Sequence, residues 1–192
     1  MHSDYSEKMI PTVRNKILEL MKESVNDCYQ CGKCAAGCPL NDEMDIAPNQ
    51  ILRLLQLNKP EYDIKVLKSY SIWLCLTCDM CHSRCPQDVN MPEIMDYLRT
   101  ESYRRGLVNK KAKEIIDFHK SFLDSVEQTG RLYEVGLIAR YKMRTMNLLQ
   151  DLTSAPGLFL KGKLKLIPNM VHNRKVIKRI FRKSEEIQRG DN

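Results

Sequence analysis

The sequence lacks any run of 18 apolar residues, which excludes a transmembrane helix of ordinary length. Its opening segment, MHSDYSEKMIPTVRNK, has no uninterrupted apolar stretch of the kind a secretory signal needs, so the expected compartment is the cytoplasm, where thiols stay reduced. Walker-type and G-x-G-x-x-G loops are missing, and no Ser/His/Asp set stands out, so the chain offers no recognisable nucleotide site or hydrolytic triad. There is no low-complexity linker and no pattern of short alternating strands. Aromatic residues are sparse, at 7%, with Trp73 the only tryptophan. The apolar fraction of 43% is too high for a disordered chain, and 192 residues suffice to bury a core without covalent staples.

Charge is present but unevenly placed. The net +7 divides into −2 over residues 1–130 and +9 over residues 131–192. The basic residues Lys161, Lys163, Lys165, Arg174, Lys175, Lys178, Arg179, Arg182 and Lys183 concentrate in the tail. They suit a solvated face, an acidic partner subunit, or an anionic surface.

The eight cysteines are confined to residues 28–85, in two runs. Cys28, Cys31, Cys34 and Cys38 precede Pro39; Cys75, Cys78, Cys81 and Cys85 precede Pro86. Both runs read C-x2-C-x2-C-x3-C-P, the second 47 residues after the first, with no cysteine left over. A disulfide framework suits small secreted chains and lacks support here. Structural zinc usually takes two cysteine pairs across a long spacer, unlike three thiols at spacing three followed by a fourth. The pattern is that of paired [4Fe–4S] clusters, in which the fourth cysteine of each run ligates the other cluster. This predicts one cluster on Cys28, Cys31, Cys34 and Cys85, and a second on Cys75, Cys78, Cys81 and Cys38. Two oxidised clusters with their thiolates bring a formal charge of about −2 each, which lowers the net +7 to roughly +3.

Around the runs, the periodicity predicts an all-α chain. Thr12 is placed to cap a helix over about 13–25, with Val13, Ile17, Leu20 and Met21 on one stripe. After each Cys-Pro comes a proline-started helix, at Pro48 and at Pro92. One helix is expected from Glu61 to about Trp73. Ala112, Ile115, Ile116, His119, Phe122, Leu123 and Val126 mark an amphipathic helix over 108–129, closed by Gly130. Another is expected over 131–149, punctuated at Ser154–Gly157, then an irregular stretch over 158–168, and a basic helix from about 172 to 189. The expected domains are a loose terminus at 1–11, a helical ferredoxin domain at 12–106, and a basic helical extension for subunit docking at 107–192.

Several residues near the runs have expected roles. Gly32 and Gly37 suit close approach of backbone to a cluster. Lys33, His82 and Arg84 are placed to tune potentials by charge. Trp73 is expected to pack over a cluster, His119 to lie in a core or interface, and the ten methionines to fill the core.

The segments CYQCGKCAAGCP and CLTCDMCHSRCP, with their helical surroundings over about 12–105, resemble the C-type iron–sulfur family of heterodisulfide reductases from methanogenic archaea, within the wider group of helical ferredoxin domains. The resemblance implies a non-catalytic electron relay with no catalytic residue of its own. It would pass electrons from a flavin- and cluster-bearing A-type subunit to a B-type subunit that reduces the coenzyme M–coenzyme B heterodisulfide in methanogenesis. Catalytic subunits of that kind carry Cys-Cys repeats, and this sequence has no Cys-Cys pair. A hydrogenase or formate dehydrogenase is the implied upstream partner of a soluble complex. The competing readings are an iron–sulfur subunit of a quinone-linked or thiol:fumarate-type enzyme, and a nucleic-acid-binding protein with structural clusters; no nucleic acid is expected as partner under the preferred reading.

Overall fold

The computed structural model describes residues 12–22, 25–145 and 170–189. The chain divides into two compact units, Met1–Ala112 and Lys113–Asn192. Among the described residues there is no β-strand, and the fold is all-α. The expectations for residues 1–11, 23–24, 146–149, Ser154–Gly157 and 158–168, with Lys161, Lys163 and Lys165, fall outside the described residues.

The first unit contains helices α1 (Val13–Met21), α2 (Lys33–Ala36), α3 (Pro48–Gln56), α4 (Pro60–Leu67), α5 (Ser71–Leu74), α6 (Met80–Ser83) and α7 (Met91–Arg104). Proline opens α3 and α4, where its missing N–H is an orphan in any case, and stands second in α7. The Asn90 side chain caps α7 by accepting the Glu93 N–H at 3.3 Å. Helices α1, α3, α4, α5 and α7 bury Ile17, Ile51, Leu55, Leu67, Ile72 and Leu98 in a common apolar core. Each such side chain contributes about 1.5–3 kcal/mol on leaving water.

Three local expectations are corrected. The first helix stops at Met21, because Lys22 turns left-handed at φ +58°. Of its expected stripe only Val13 and Ile17 are buried, and Leu20 is 67% exposed. Thr12 does not cap it; its hydroxyl donates to Asn58 Oδ1 at 2.6 Å, and Asp63 Oδ2 accepts the Val13 N–H at 2.9 Å instead. The single helix expected over Glu61–Trp73 is two, α4 and α5. The Asp45 carboxylate accepts the N–H groups of Tyr70 and Ser71, each at 2.9 Å, and starts α5 from a distance of 25 residues in sequence.

The first unit also buries a charge. Glu101, 4% exposed, accepts hydrogen bonds from Arg104 and Arg105 and lies 3.6 Å from Lys16 Nζ on α1. Burial by itself would raise this carboxyl, but the two guanidinium hydrogen bonds and the neighbouring charges hold it at about 2. The first unit extends to Ala112, past residue 106, because the Leu107 N–H donates to Ser102 O and Asn109 Nδ2 donates to Lys68 O at 2.8 Å.

The second unit holds α8 (Lys113–Thr129), α9 (Glu134–Thr145) and α10 (Arg174–Arg189). The expected apolar stripe of α8 is not its buried face. Ser121, Ser125 and Thr129 are buried, while Phe122 and Leu123 are 37% and 50% exposed and His119 is exposed. The small hydroxyl residues recur every four positions and let α9 approach closely. Their polar atoms are satisfied locally, Ser125 Oγ accepting the Tyr133 N–H at 3.0 Å and Thr129 Oγ1 donating to Ser125 O at 2.7 Å. Gly130 closes α8 in the left-handed region at φ +84°.

Candidate metal centre

The repeat in sequence is also a repeat in backbone conformation. Gln30 and Thr77 occupy equivalent positions and both have positive φ, 64° and 50°. So do Gly32 and Asp79, at 76° and 59°. The short helices α2 and α6 then carry Cys34 and Cys81, and the residues after them, Gly37 and Arg84, match at φ −99° and −98°. A left-handed threonine is costly, on the order of 1–3 kcal/mol, and such strain persists where the surroundings over-determine it, commonly at functional sites.

The two glycines of the first run serve different ends. A Cβ on Gly32 would meet nothing within 4 Å, so Gly32 answers a need for positive φ, which Asp79 meets in the second run. A Cβ on Gly37 would press into the Arg84 side chain, 2.8 Å from its Cδ. Gly37 is therefore a close-approach glycine, and what approaches it is the residue at its own equivalent position.

Wrapping the runs this way brings the cysteines around two cavities. One is lined by Cys38, Cys75, Cys78 and Cys81. The other is lined by Cys28, Cys31, Cys34 and Cys85, with Cys81 also at its wall. All eight cysteines are free thiols; Cys31 and Cys78 are exposed and the rest half-buried. No group of three or more His, Cys, Asp or Glu among the described residues forms a site for a single metal ion. The cavity linings put four thiols of each set around one space, the disposition that a multi-iron cluster needs.

The donor chemistry fits such a group. Burial pushes the thiols of Cys34 and Cys75 up, and raises Cys81 to about 11, with the Cys75 thiol adding to it. Crowded, half-buried thiols resist becoming four neighbouring thiolates unless cations sit among them, and iron supplies that charge. Polar groups already point at two of the sulfurs. Gln30 Nε2 donates to Cys28 Sγ at 3.3 Å, and the Val89 N–H donates to Cys85 Sγ at 3.3 Å.

The remaining expected residues separate. Lys33 lines the Cys28 cavity. His82 is paired with Asp88 at 2.9 Å. Trp73 is in the core, 9% exposed, and lines neither cavity. Its expected place is taken by methionines: Met44, Met80, Met91 and Met95 line the Cys38/Cys75 cavity, and Met91 lines both. Arg99 is a further residue that motif reading misses; its guanidinium donates to the Cys75 carbonyl at 3.2 Å and pairs with Asp96. For the methionines the available signal is position. Three of them follow a Cys-Pro pair within six residues or stand inside a cysteine run.

Residues 23–89 match the family described as the 4Fe-4S dicluster domain. Similar proteins include the iron–sulfur C subunit of the CoB–CoM heterodisulfide reductase of Methanopyrus kandleri, 30% identical over 118 residues, which are 62% of this chain and 60% of that one. The second C-type iron–sulfur subunit of the corresponding enzyme of Methanocaldococcus jannaschii is 30% identical over 113 residues, 59% of each chain. The C2 subunit of the H2/formate:CoB–CoM heterodisulfide,ferredoxin reductase of Methanococcus maripaludis is 34% identical over 90 residues, 47% of each chain. The aligned parts thus span about three-fifths or less of these curated relatives. With its eight cysteines in two sets, the segment 23–89 matches a dicluster domain for two [4Fe–4S] clusters, and the chain is similar over its aligned part to the iron–sulfur C subunits of heterodisulfide reductases.

Proposed function

We propose that this chain is the electron-relay subunit of a heterodisulfide reductase complex. Its clusters would be held in crossed sets, Cys28, Cys31, Cys34 and Cys85 for one, and Cys75, Cys78, Cys81 and Cys38 for the other. The observation that carries the reading is the lining of the two cavities, one with Cys75, Cys78, Cys81 and Cys38, the other with Cys28, Cys31, Cys34 and Cys85 and with Cys81 also at its wall. When bound, each cluster supplies reversible one-electron chemistry. The chain's own residues hold the sulfurs, donate hydrogen bonds to them, and exclude water with Met44, Met91, Met95, Leu52 and Val89.

The lack of a Cys-Cys pair supports a relay and leaves the disulfide chemistry to a B-type subunit. A flavin- and cluster-bearing A-type subunit is the proposed donor, fed by a hydrogenase or formate dehydrogenase, and the cytoplasm is the proposed location of the complex. No helix among the described residues is long and apolar enough to cross a membrane. The second unit is the proposed docking extension, supported by exposed Phe122, Leu123 and Ile180 and by the cations of α10.

The test is Cys85→Ser in the anaerobically reconstituted chain, followed by iron analysis and EPR. The expected result is damage to the cluster of Cys28, Cys31 and Cys34 with the other retained. Damage confined to the cluster of Cys75, Cys78 and Cys81 overturns the crossed sets. Isolation of the native complex without a flavin-bearing chain or a chain with Cys-Cys repeats overturns the assignment to this enzyme.

A further inference from the structure

The repeat provides an internal comparison: the two runs share a backbone, so differences between their sites come from side chains. At three equivalent positions beside the cysteines, the first run has Tyr29, Gln30 and Lys33, and the second has Leu76, Thr77 and Met80. The first set of sulfurs receives the Gln30 side-chain amide and the Val89 N–H, with Lys33 and Asn49 at its cavity wall. Both cavities have apolar walls, Leu52, Val89 and Met91 in the first and Leu40, Leu76, Met44, Met80, Met91 and Met95 in the second, but only the first adds a cation. Thr77 turns its hydroxyl away, donating to the Leu76 carbonyl at 2.7 Å.

The charged groups beside the second run are paired or shared, His82 lying 2.9 Å from Asp88. Each set has one exposed cysteine and three half-buried ones, so water reaches both alike. Arg99 lies near Cys75, but Asp96 neutralises it within the same ion pair. Arg84 lies against Gly37, beside Cys38 of one set, and immediately precedes Cys85 of the other. An added electron raises the negative charge of a site. Hydrogen bonds to sulfur and a nearby cation favour that charge, and an apolar wall disfavours it.

Resting on the crossed ligand sets proposed above, we infer that the Cys28/Cys31/Cys34/Cys85 site has the higher reduction potential, and that a singly reduced chain keeps its electron there. In the internal exchange, the Cys75/Cys78/Cys81/Cys38 site loses one electron and the Cys28 site gains it. Gln30 and Lys33 are positioning residues that set this gradient and so give the relay its downhill end.

The experiment is an EPR-monitored dithionite titration of the full-length holoprotein, wild type against Gln30→Leu and the transplant Thr77→Gln/Met80→Lys. Wild type is expected to reduce in two waves. Gln30→Leu should lower the upper wave by about tenfold in the one-electron equilibrium, about 59 mV, with the lower wave unmoved. The transplant should raise the lower wave and narrow the gap. A Gln30→Leu shift in the lower wave, no shift in either, or a transplant that leaves the gap intact overturns the inference. Iron content and spin count showing two intact clusters in every variant separate that failure from a failure of the ligand sets, which Cys85→Ser reports on its own.

Discussion

The joint between the two cysteine runs is expected to fail in a specific way when Asp45 is removed. Asp45 follows the first run and holds the start of α5, which leads directly into Cys75. Its carboxylate accepts the Tyr70 and Ser71 N–H groups at 2.9 Å and the Ser71 hydroxyl at 2.5 Å, and Ser71 Oγ in turn accepts the Ile46 N–H at 2.9 Å. Hydrogen bonds to a charged group contribute about 1.5–3 kcal/mol each when shielded, but Asp45 itself is exposed and water partly replaces it. Asp45→Ala should therefore cost about 2 kcal/mol, the upper end of the scale for lost helix caps. Ser71→Ala should cost about 2–3 kcal/mol, because Ser71 is fully buried and its loss strands the Ile46 N–H. The two share the hydroxyl–carboxylate bond, so the double variant should fall short of the sum by about 1–2 kcal/mol. Anaerobic urea unfolding followed by circular dichroism would read Asp45→Ala as a midpoint lower by about 1 M, for a slope of about 2 kcal/mol per M. Cluster loss on denaturation should begin at the Cys75 side. Strict additivity in the double variant would refute the shared-bond account.

Replacing Glu101 by Gln should cost about 2–3 kcal/mol near neutral pH, since its carboxyl is held at about 2 against an ordinary 4.5 and its cationic partners are partly in water. A depressed carboxyl stabilises the fold above the unfolded value and loses that contribution as pH falls from about 4.5 toward 2. The wild-type advantage over Glu101→Gln in urea midpoint should accordingly shrink across that window, and an advantage constant with pH would contradict it. Gly37→Arg should destabilise the first unit by collision with Arg84, and the exchange Gly37→Arg/Arg84→Gly should recover much of the loss, because the two positions share one backbone conformation. Urea midpoints of the single and double variants measure this directly.

The cysteine runs and the proline-started helices after them are legible because their signals are local: fixed spacing, and a residue that lacks a donor. What escapes the sequence is decided by contacts between distant segments. Asp45 breaks the Glu61–Trp73 pattern into two helices from 25 residues away, and Asp63 supplies the partner for the start of α1 that is expected of Thr12. The α8 stripe misleads for a different reason. Periodicity shows which residues share a face but not which face is covered, and in α8 the small hydroxyl face meets α9. Met91 and Met95 are buried as expected, but with Met44 and Met80 they also stand at the cavity where Trp73 is expected, because size alone does not say which apolar side chain stands next to a sulfur. The thioether side chains, unbranched and polarizable, conform to an irregular wall in a way an indole does not.

The division of labour between backbone and side chains explains how one repeated motif can serve two unequal sites. The positive φ values at Gln30 and Thr77, and at Gly32 and Asp79, fix where the sulfurs stand, and they are alike in both runs although the residues differ. Cysteine geometry is thus insensitive to the identity of the neighbouring side chains. Those neighbours are free to vary the electrostatic surroundings, which is where Tyr29, Gln30 and Lys33 depart from Leu76, Thr77 and Met80. A relay needs two sites alike in shape, so that they lie close and exchange electrons readily, and unlike in energy, so that the exchange has a direction. Duplication of the backbone meets the first need. It cannot meet the second, which falls to the side-chain differences beside the cysteines, Gln30 against Thr77 and Lys33 against Met80 among them.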